Sequence, residues 1–330
     1  MKIYKFGGAS VRNAEGVRNL TNIVSQSGDD IVVVVSAMGK TTNALERVAE
    51  ALWNNDLNKA ESEWSDVLSY HVDIIRDLNL SLAIENWVSW EQLKAYVRTD
   101  YDELYDQVVS CGEIISTHII SAYLNAKGFD NSWLYIPDVL RTDATFRDAK
   151  VDMADTQSLL REQVIGKRVV VTQGFLGGTK DGRRTTLGRE GSDYTAAILG
   201  NLLDAESVTI WKDVPGILNA DPRLMDNTVL IPELTYYDAV ELSYSGAQII
   251  HPKTIRPLEN KQIPLYVRPF GDITAKGSVI HATTAHPIDV PVYIWRKNQI
   301  LITVRPKDFA FVLEESLTHI FDIIERIKPE

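Results

Sequence analysis

The stretch IVVVV at Ile31–Val35 decides the fold. Five consecutive apolar, β-branched residues suit a central parallel strand that is covered on both faces. The run ends at residues 36–39, which read Ser-Ala-Met-Gly, and a helical pattern begins near Thr42. An equivalent strand at Lys2–Phe6 ends at Gly7-Gly8 and leads into another helical pattern. A strand, a glycine-containing turn and a helix in repeated order predict an α/β sheet.

The alternation of strands and helices continues to about residue 280. Strand-like segments recur at 133–136, 168–171, 207–211 and 264–267, and residues 44–126 read as helix with a break near 79–81. Residues 281–288 look like a linker, followed by apolar strands at 292–295 and 300–304 and an amphipathic helix at 309–327. We therefore expect one large domain over residues 1–285 and a short second segment over 286–330.

The composition excludes several classes of protein. The 330 residues are 45% hydrophobic and 24% charged, which is ordinary for a globular chain of about two domains. A net charge of −11 disfavours nucleic-acid binding, so an anionic ligand needs a local cluster of cations. We expect no targeting segment, because no apolar region precedes the first glycines. No apolar run approaches the roughly 20 residues of a membrane span, and no histidine or cysteine spacing is typical of a metal site. We expect a cytoplasmic protein.

Two glycine-containing stretches have the character of phosphate-binding loops. Gly7-Gly8 joins a strand to a helix, where free N–H groups and the helix dipole favour an anion, and Lys5 adds a charge. The loop at 177–193 is dense in Gly, Thr and Arg and ends at Ser192-Asp193, a suitable N-cap for the next helix. The alternatives are a plain turn at Gly7-Gly8 and a plain surface loop at 177–193.

Three further groups of residues are candidates for substrate contacts. Glu113 lies in an apolar helical stretch, where a carboxylate facing a cleft could bind an ammonium group; the alternative is a solvated residue. Ser36 and Thr42 follow a strand, at the sheet edge where open α/β sheets bind ligands; the alternative is a turn with Thr42 as N-cap. Lys212 and Asp213 end the strand at 207–211, and with Arg223 they suggest a nucleotide site or a surface ion pair.

At these positions the sequence resembles the aspartate kinases of the amino-acid kinase family. Seven motifs in family order cover residues 1 to about 280: KFGGASV at 5–11, VSAMG at 35–39, SCGE at 110–113, TTLGR at 185–189, GSDY at 191–194, WKDVPG at 211–216 and DPR at 221–223. The resemblance implies an open, mostly parallel sheet sandwiched by helices. It also implies phosphorylation of L-aspartate by ATP to 4-phospho-L-aspartate, the first step of lysine, threonine and methionine biosynthesis.

The resemblance assigns roles residue by residue. Lys5, with Lys212 and Asp213 at the strand end, would be catalytic. The aspartate-binding residues would be Ser36, Thr42, Glu113 and Arg147. The ATP-binding residues would be Gly7, Gly8, Thr185, Thr186, Gly188, Gly191, Ser192, Leu218, Arg223 and Gln248. Mg²⁺ would be held mainly by the phosphates, with no dedicated protein metal site, and we expect a homo-oligomer.

The chain departs from the family pattern at several positions. Arg147 stands one position earlier than the Arg of many relatives, and Leu218 replaces a Tyr near the adenine. A Lys is gained at Lys212 and one is missing at Gln248, so Lys212 is a candidate replacement. Residues 289–330 resemble only the first strand and helix of an ACT regulatory module. Two alternatives stay open: a glutamate or nucleoside monophosphate kinase of the same family, and a catalytically silent amino-acid sensor.

Overall fold

The computed structural model describes residues 1–96, 99–247, 250–284, 288–297, 300, 303 and 314–327. The chain divides into two compact units, Met1–Ile294 and Trp295–Glu330. Gln248 lies outside the described residues. None of the described helices is long and apolar enough to cross a membrane.

The first unit alternates strands and helices from its first residues. Its strands are β1 (Lys2–Phe6), β2 (Ile31–Val35), β3 (Ser132–Leu134), β4 (Val169–Gln173), β5 (Leu176–Gly178), β6 (Arg184–Thr186), β7 (Ser207–Lys212), β8 (Ile217–Leu218), β9 (Leu230–Ile231), β10 (Glu233–Thr235), β11 (Leu265–Pro269) and β12 (Ser278–His281). Its helices are α1 (Ala14–Ser25), α2 (Thr41–Trp53), α3 (Leu57–Asp77), α4 (Trp90–Ala95), α5 (Tyr101–Ala126), α6 (Met153–Val164), α7 (Gly191–Leu202), α8 (Tyr236–Ser245) and α9 (Pro252–Glu259). The second unit contains α10 (Glu314–Ile327).

Eight strands form one sheet in the order β10-β12-β11-β7-β1-β2-β4-β3. Every neighbouring pair is parallel except β11 with β12. The predicted open, mostly parallel sheet is therefore confirmed. All five residues of β2 are fully buried, as a central strand with helices on both faces requires. From β1 the chain continues to β2 on one side of β1, whereas β7 pairs with β1 on its other side. A crevice therefore opens between the carboxyl ends of these strands.

The long helical region differs from the prediction in its interruptions. Residues 44–126 contain parts of α2 and the whole of α3, α4 and α5, and the chain between α3 and α4 is irregular apart from a 3₁₀ turn at Ile84–Asn86. Thr42 lies inside α2, so the alternative in which it is the N-cap is wrong. Similarly, α7 begins at Gly191, which puts Ser192 and Asp193 inside its first turn.

The predicted strand at 292–295 does not form. Residues 288–297 contain no strand, although the Tyr293 N–H donates to the Asn219 carbonyl at 2.8 Å. Pro291 has no N–H to donate, so a regular ladder beside β8 cannot start there. Of the predicted strand at 300–304, only Ile300 and Thr303 are described. Of the helix predicted at 309–327, residues 314–327 are present as α10, and residues 309–313 lie outside the described residues.

Candidate active site

A pocket of about 450 Å³ opens at the carboxyl ends of β1, β2 and β7. It combines residues that are far apart in sequence but were assigned to the site. They are Lys5, Gly7, Gly8, Ser36, Thr42, Glu113, Gly188, Gly191, Ser192, Lys212 and Asp213. The position agrees with the general rule that open α/β sheets bind ligands where the strand order reverses.

Two glycines allow the walls of this pocket to approach each other. A Cβ on Gly8 would lie 2.4 Å from the Ala37 carbonyl oxygen, and the Gly8 carbonyl accepts a bond from the Gly39 N–H at 2.9 Å. A Cβ on Gly112 would lie 2.9 Å from the Ala37 Cβ. Since no side chain fits at either position, these glycines bring the β1–α1 turn and α5 against the β2–α2 turn.

Two lysines share one buried carboxylate on the α7 side of the pocket. The Nζ of Lys5 lies 2.5 Å from Oδ1 of Asp193, and the Nζ of Lys212 lies 3.7 Å from Oδ2. Burial alone would raise the pKa of Asp193, but the charges of Lys5 and Lys212 outweigh it and lower the pKa. The three groups together carry a net charge of +1, and this charge lies beside the N-terminal end of α7. This arrangement can hold an anion with several negative oxygens.

Glu113 stands on the opposite wall, in α5, with only 2% of its surface exposed. Its Oε1 accepts the Ala37 N–H at 3.1 Å, and its Oε2 has no hydrogen-bond partner among the described residues. Burial raises the pKa of Glu113 to about 8, although the Ala37 N–H and the Lys5 charge both oppose the rise. A buried carboxylate with an unsatisfied oxygen beside a pocket is a suitable receptor for a cationic group.

The described residues contain no group of three or more His, Cys, Asp or Glu side chains arranged to hold a metal ion. Asp213 is the exposed carboxylate at the rim of the pocket, whereas Asp193 is engaged by two ammonium groups. Mg²⁺ that binds mainly to phosphate oxygens needs only one or two protein carboxylates. Asp213 fits such an ion, and a fully protein-built magnesium cage does not fit these residues.

Comparison with known proteins places the chain in a family. The model of the "Amino acid kinase family" matches residues 1–269. The chain belongs to the amino acid kinase family. "Lysine-sensitive aspartokinase 3" of Escherichia coli strain K12 is 32% identical over 312 residues, which are 92% of this chain and 69% of that protein. "Aspartokinase 1, chloroplastic" of Arabidopsis thaliana is 33% identical over 85% of this chain and 52% of that protein.

The solved structures agree with this assignment. The E. coli aspartokinase III structure "in complex with aspartate and ADP (R-state)" superposes with a TM-score of 0.78 at 32% identity, covering 86% of this chain and 65% of that chain. The chain therefore spans about two thirds of the E. coli relative and about half of the Arabidopsis one. Both of these curated relatives are named as aspartokinases.

Two threonines assigned to ATP, both in β6, are buried and do not line the pocket. The Oγ1 atoms of Thr185 and Thr142 are 2.7 Å apart, and Thr186 donates to Asp106 through its N–H at 2.8 Å and its Oγ1 at 2.7 Å. Burial raises the pKa of Asp106 to about 6, against the bonds from Arg147 and Thr186. In this structure both threonines bond to other buried side chains, and their contact with ATP stays a prediction.

Three other assigned residues do not line the 450 Å³ pocket. The Arg147 guanidinium lies 3.2 Å from Asp102 and 4.3 Å from the centre of the Tyr105 ring. Arg223 is 78% exposed and bonded to Asp221 at 2.7 Å, and Leu218 is half-buried in β8. Their roles toward aspartate or ATP stay predictions, as does that of Gln248, which is outside the described residues.

The sequence analysis did not assign a role to Asp193 or Glu190. Asp193 was interpreted as part of an N-cap, because a short polar residue before an apolar helix usually has that function. The available signal was that Lys5 and Lys212 lie near the carboxyl ends of two different strands and that a largely buried pair of cations needs an anion. Glu190 gave no signal in the sequence, because its unusual backbone conformation is visible only in the structure.

Proposed function

We propose that the chain is an aspartate kinase, which transfers the γ-phosphoryl group of ATP to the β-carboxylate of L-aspartate. The observation that carries the proposal is the pairing of two opposite sites across one pocket. The Lys5–Asp193–Lys212 cluster suits phosphates, and the unsatisfied carboxyl of Glu113 suits an α-ammonium group. An amino acid whose second carboxylate receives a phosphoryl group from ATP would use both sites. The aspartokinase relatives support this choice.

The chemistry needs no general base. The β-carboxylate of aspartate has an ordinary pKa of about 3.9, so it is ionised at neutral pH and can attack the γ-phosphorus directly. An oxygen of that carboxylate forms the new bond to phosphorus, and the bond to the bridging oxygen of ADP breaks. The protein must align the two anions and stabilise the transferring charge, which Lys5 and the N–H groups of α7 can do.

Aspartate recognition would use the α5 wall. Glu113 would accept the α-ammonium, and Ser36 and Thr42 line the same part of the pocket. For the α-carboxylate we propose Arg189 in addition to Arg147. Arg189 directly follows Gly188, which lines the pocket, whereas the guanidinium of Arg147 is paired with Asp102. Either guanidinium offers the bidentate geometry that a carboxylate prefers.

The nucleotide would lie along the α7 side. Gly7, Gly8, Gly188, Gly191 and Ser192 line the pocket where the phosphates of ATP would bind. Mg²⁺, when bound, would neutralise phosphate charge, with Asp213 as the carboxylate within reach of it. Lys212 would supply a second cation beside Lys5. Thr185, Thr186, Leu218, Arg223 and Gln248 complete the proposed ATP-binding set.

Several broader features are also proposals. We assign catalysis to residues 1–285, treat 286–330 as an ACT-like regulatory segment, and expect a cytoplasmic homo-oligomer. The product, an acyl phosphate of aspartate, would enter amino-acid biosynthesis.

The proposal is tested by ADP release in a coupled assay with Mg-ATP and one acceptor at a time: L-aspartate, L-glutamate or uridine monophosphate. Release with aspartate at least tenfold faster than with either competitor is expected. A preference for glutamate or uridine monophosphate would assign the chain to another activity of the family. No release with any acceptor, despite measurable binding of aspartate, would indicate an amino-acid sensor.

A further inference from the structure

The turn that precedes α7 has two left-handed residues next to the pocket. Gly188 has φ +75° and Glu190 has φ +54°, and both line the pocket. This conformation costs free energy in a non-glycine residue. Glu190 occupies the N-cap position of α7 without making a side-chain capping bond to that helix. Its presence there therefore needs a reason other than the local stability of α7.

Glu190 instead contacts the neighbouring helix, α9. Its Oε2 accepts the backbone N–H of His251, the N-cap residue of α9, at 2.9 Å. The positive end of the α9 dipole offsets the charge of this carboxylate. A carboxylate left facing the pocket would repel phosphate, so the bond to His251 also keeps this charge engaged away from it.

A second contact runs in the opposite direction, from α9 to the turn. The Nζ of Lys253, in the first turn of α9, donates to the Leu187 carbonyl at 3.0 Å and to Oδ1 of Asp148 at 2.7 Å. The same ammonium lies 5.0 Å from the centre of the Tyr194 ring. The turn is thus bonded to α9 at both of its ends, through Leu187 and Glu190.

We propose that Glu190 and Lys253 are positioning residues for phosphoryl transfer, acting as a two-point brace that fixes residues 187–190 against α9. The brace holds the N–H groups at the start of α7 where the phosphates bind, and it carries Arg189 between its two fixed points. The inference rests on the proposed kinase function, because it assigns these residues to the geometry of that same site. Neither side chain is proposed to touch the reacting atoms.

The other end of the same helix pair offers a matched control. Lys261, just beyond α9, donates to the Asn201 carbonyl at 2.7 Å and pairs with Asp204. Like Lys253, it joins the α7 and α9 regions through one carbonyl and one Asp. Unlike Lys253, it lies at the carboxyl ends of both helices, away from the turn at residues 187–190. Comparing variants of the two lysines therefore distinguishes an effect on the packing of α7 against α9 from an effect on the turn.

The test compares Glu190→Gly, Glu190→Gln, Lys253→Met and Lys261→Met in the full chain. Steady-state kinetics should show kcat lower by about tenfold in Glu190→Gly and Lys253→Met, because a displaced turn weakens transition-state contacts. KM for aspartate should rise as well, because Arg189 moves with the turn. Glu190→Gln retains an acceptor oxygen and should stay within about threefold of the parent chain. Lys261→Met should lower Tm as much as Lys253→Met does while leaving kcat within twofold.

Hydrogen exchange of the amides at 188–192 gives a readout that does not depend on activity. Exchange should be faster in Glu190→Gly and Lys253→Met than in the parent chain, and unchanged in Lys261→Met. Equal kcat and equal exchange in Lys253→Met and Lys261→Met would overturn the brace, as would a Glu190→Gly variant as active as the parent. A parent chain that releases no ADP with aspartate would refute the kinase function, and the exchange data would still decide on the brace.

Discussion

The two walls of the pocket each contain a buried carboxylate, and the two carboxylates differ in their electrical surroundings. On the α7 wall, Asp193 lies between the ammonium groups of Lys5 and Lys212, which lower its pKa. On the α5 wall, burial raises the pKa of Glu113 to about 8, and one of its oxygens has no partner among the described residues. Residue type and burial are nearly the same, so the difference comes from the neighbouring charges.

This difference assigns separate tasks to the walls. The Asp193 wall is internally neutralised except for one positive charge, so it is ready to receive an anion before any ligand binds. The Glu113 wall is incomplete, because its carboxyl can ionise at low cost only when a cation arrives. A substrate that carries an ammonium group therefore completes the α5 wall, and the phosphates complete the α7 wall.

Removing the charge that both phosphates and Asp193 use should have the largest effect. We expect Lys5→Met to lower kcat by on the order of 10²-fold or more, since in the proposed reaction Lys5 would contact the charge that is redistributed in the transition state. Steady-state kinetics at saturating ATP and aspartate give the value. A variant that only raises KM for ATP would contradict the catalytic role, and circular dichroism checks that the fold is retained.

Changing the α5 wall should affect the acceptor substrate alone. Glu113→Gln should raise KM for aspartate by roughly ten- to a hundredfold, because a charge-assisted bond to the ammonium contributes about 1.5–3 kcal/mol. KM for ATP should change less than threefold. A matching rise in both constants would mean that Glu113 supports the pocket generally and does not recognise the ammonium.

Removing the second cation from the α7 wall should have a smaller effect. Lys212→Thr should lower kcat/KM for ATP by roughly tenfold, which corresponds to about 1.4 kcal/mol. If Lys212 replaces a lysine missing at Gln248, adding Gln248→Lys to that variant should restore much of the activity. Strictly additive effects of the two substitutions would show that they do not act on the same phosphates.

The smallest effect concerns stability, where the two carboxylates should respond to pH in opposite directions. The pKa of Glu113 is raised above its unfolded value, so its contribution is present below about pH 4.5 and is lost as the pH rises toward 8. Glu113→Gln should therefore be more stable than the parent chain at pH 8.5 and closer to it in stability at pH 5.

Urea unfolding at the two pH values measures that difference, and Asp193→Asn is the comparison variant. Because the pKa of Asp193 is lowered, its ionised form stabilises the fold at neutral pH, and this contribution is lost in acid. Asp193→Asn should therefore be less stable than the parent chain at both pH values. The same pH profile for both variants would refute the proposed contrast between the walls.

The sequence was sufficient to predict those pocket residues that lie in or next to recognisable strands and helices. Lys5 lies near the carboxyl end of β1, whereas Gly7, Gly8 and Ser36 directly follow strands. Because parallel strands end at a common edge, the convergence of these residues follows from topology. Glu113 could be selected because a carboxylate in an apolar helix needs an explanation. The structure agrees, since all five line one pocket.

The lysine–aspartate cluster could not be predicted from spacing. The parallel register places Phe6 beside Trp211, so Lys5 and Lys212 meet only because β7 pairs with β1. Strand order in a sheet depends on packing over the whole domain, which the sequence near Lys212 does not contain. The bond between Thr186 in β6 and the buried Asp106 could not be predicted for a similar reason, because Asp106 lies in a helix 80 positions earlier.

Proton release on binding shows whether Glu113 pairs with the ammonium group of aspartate. With a pKa of about 8, Glu113 is mostly protonated at pH 7 in the free protein, and pairing with the ammonium should ionise it. Calorimetric titration of L-aspartate into the protein at pH 7, in buffers of different ionisation enthalpy, should show release of most of one proton, and Glu113→Gln should release none. Aspartate binding with an enthalpy independent of the buffer would contradict the account.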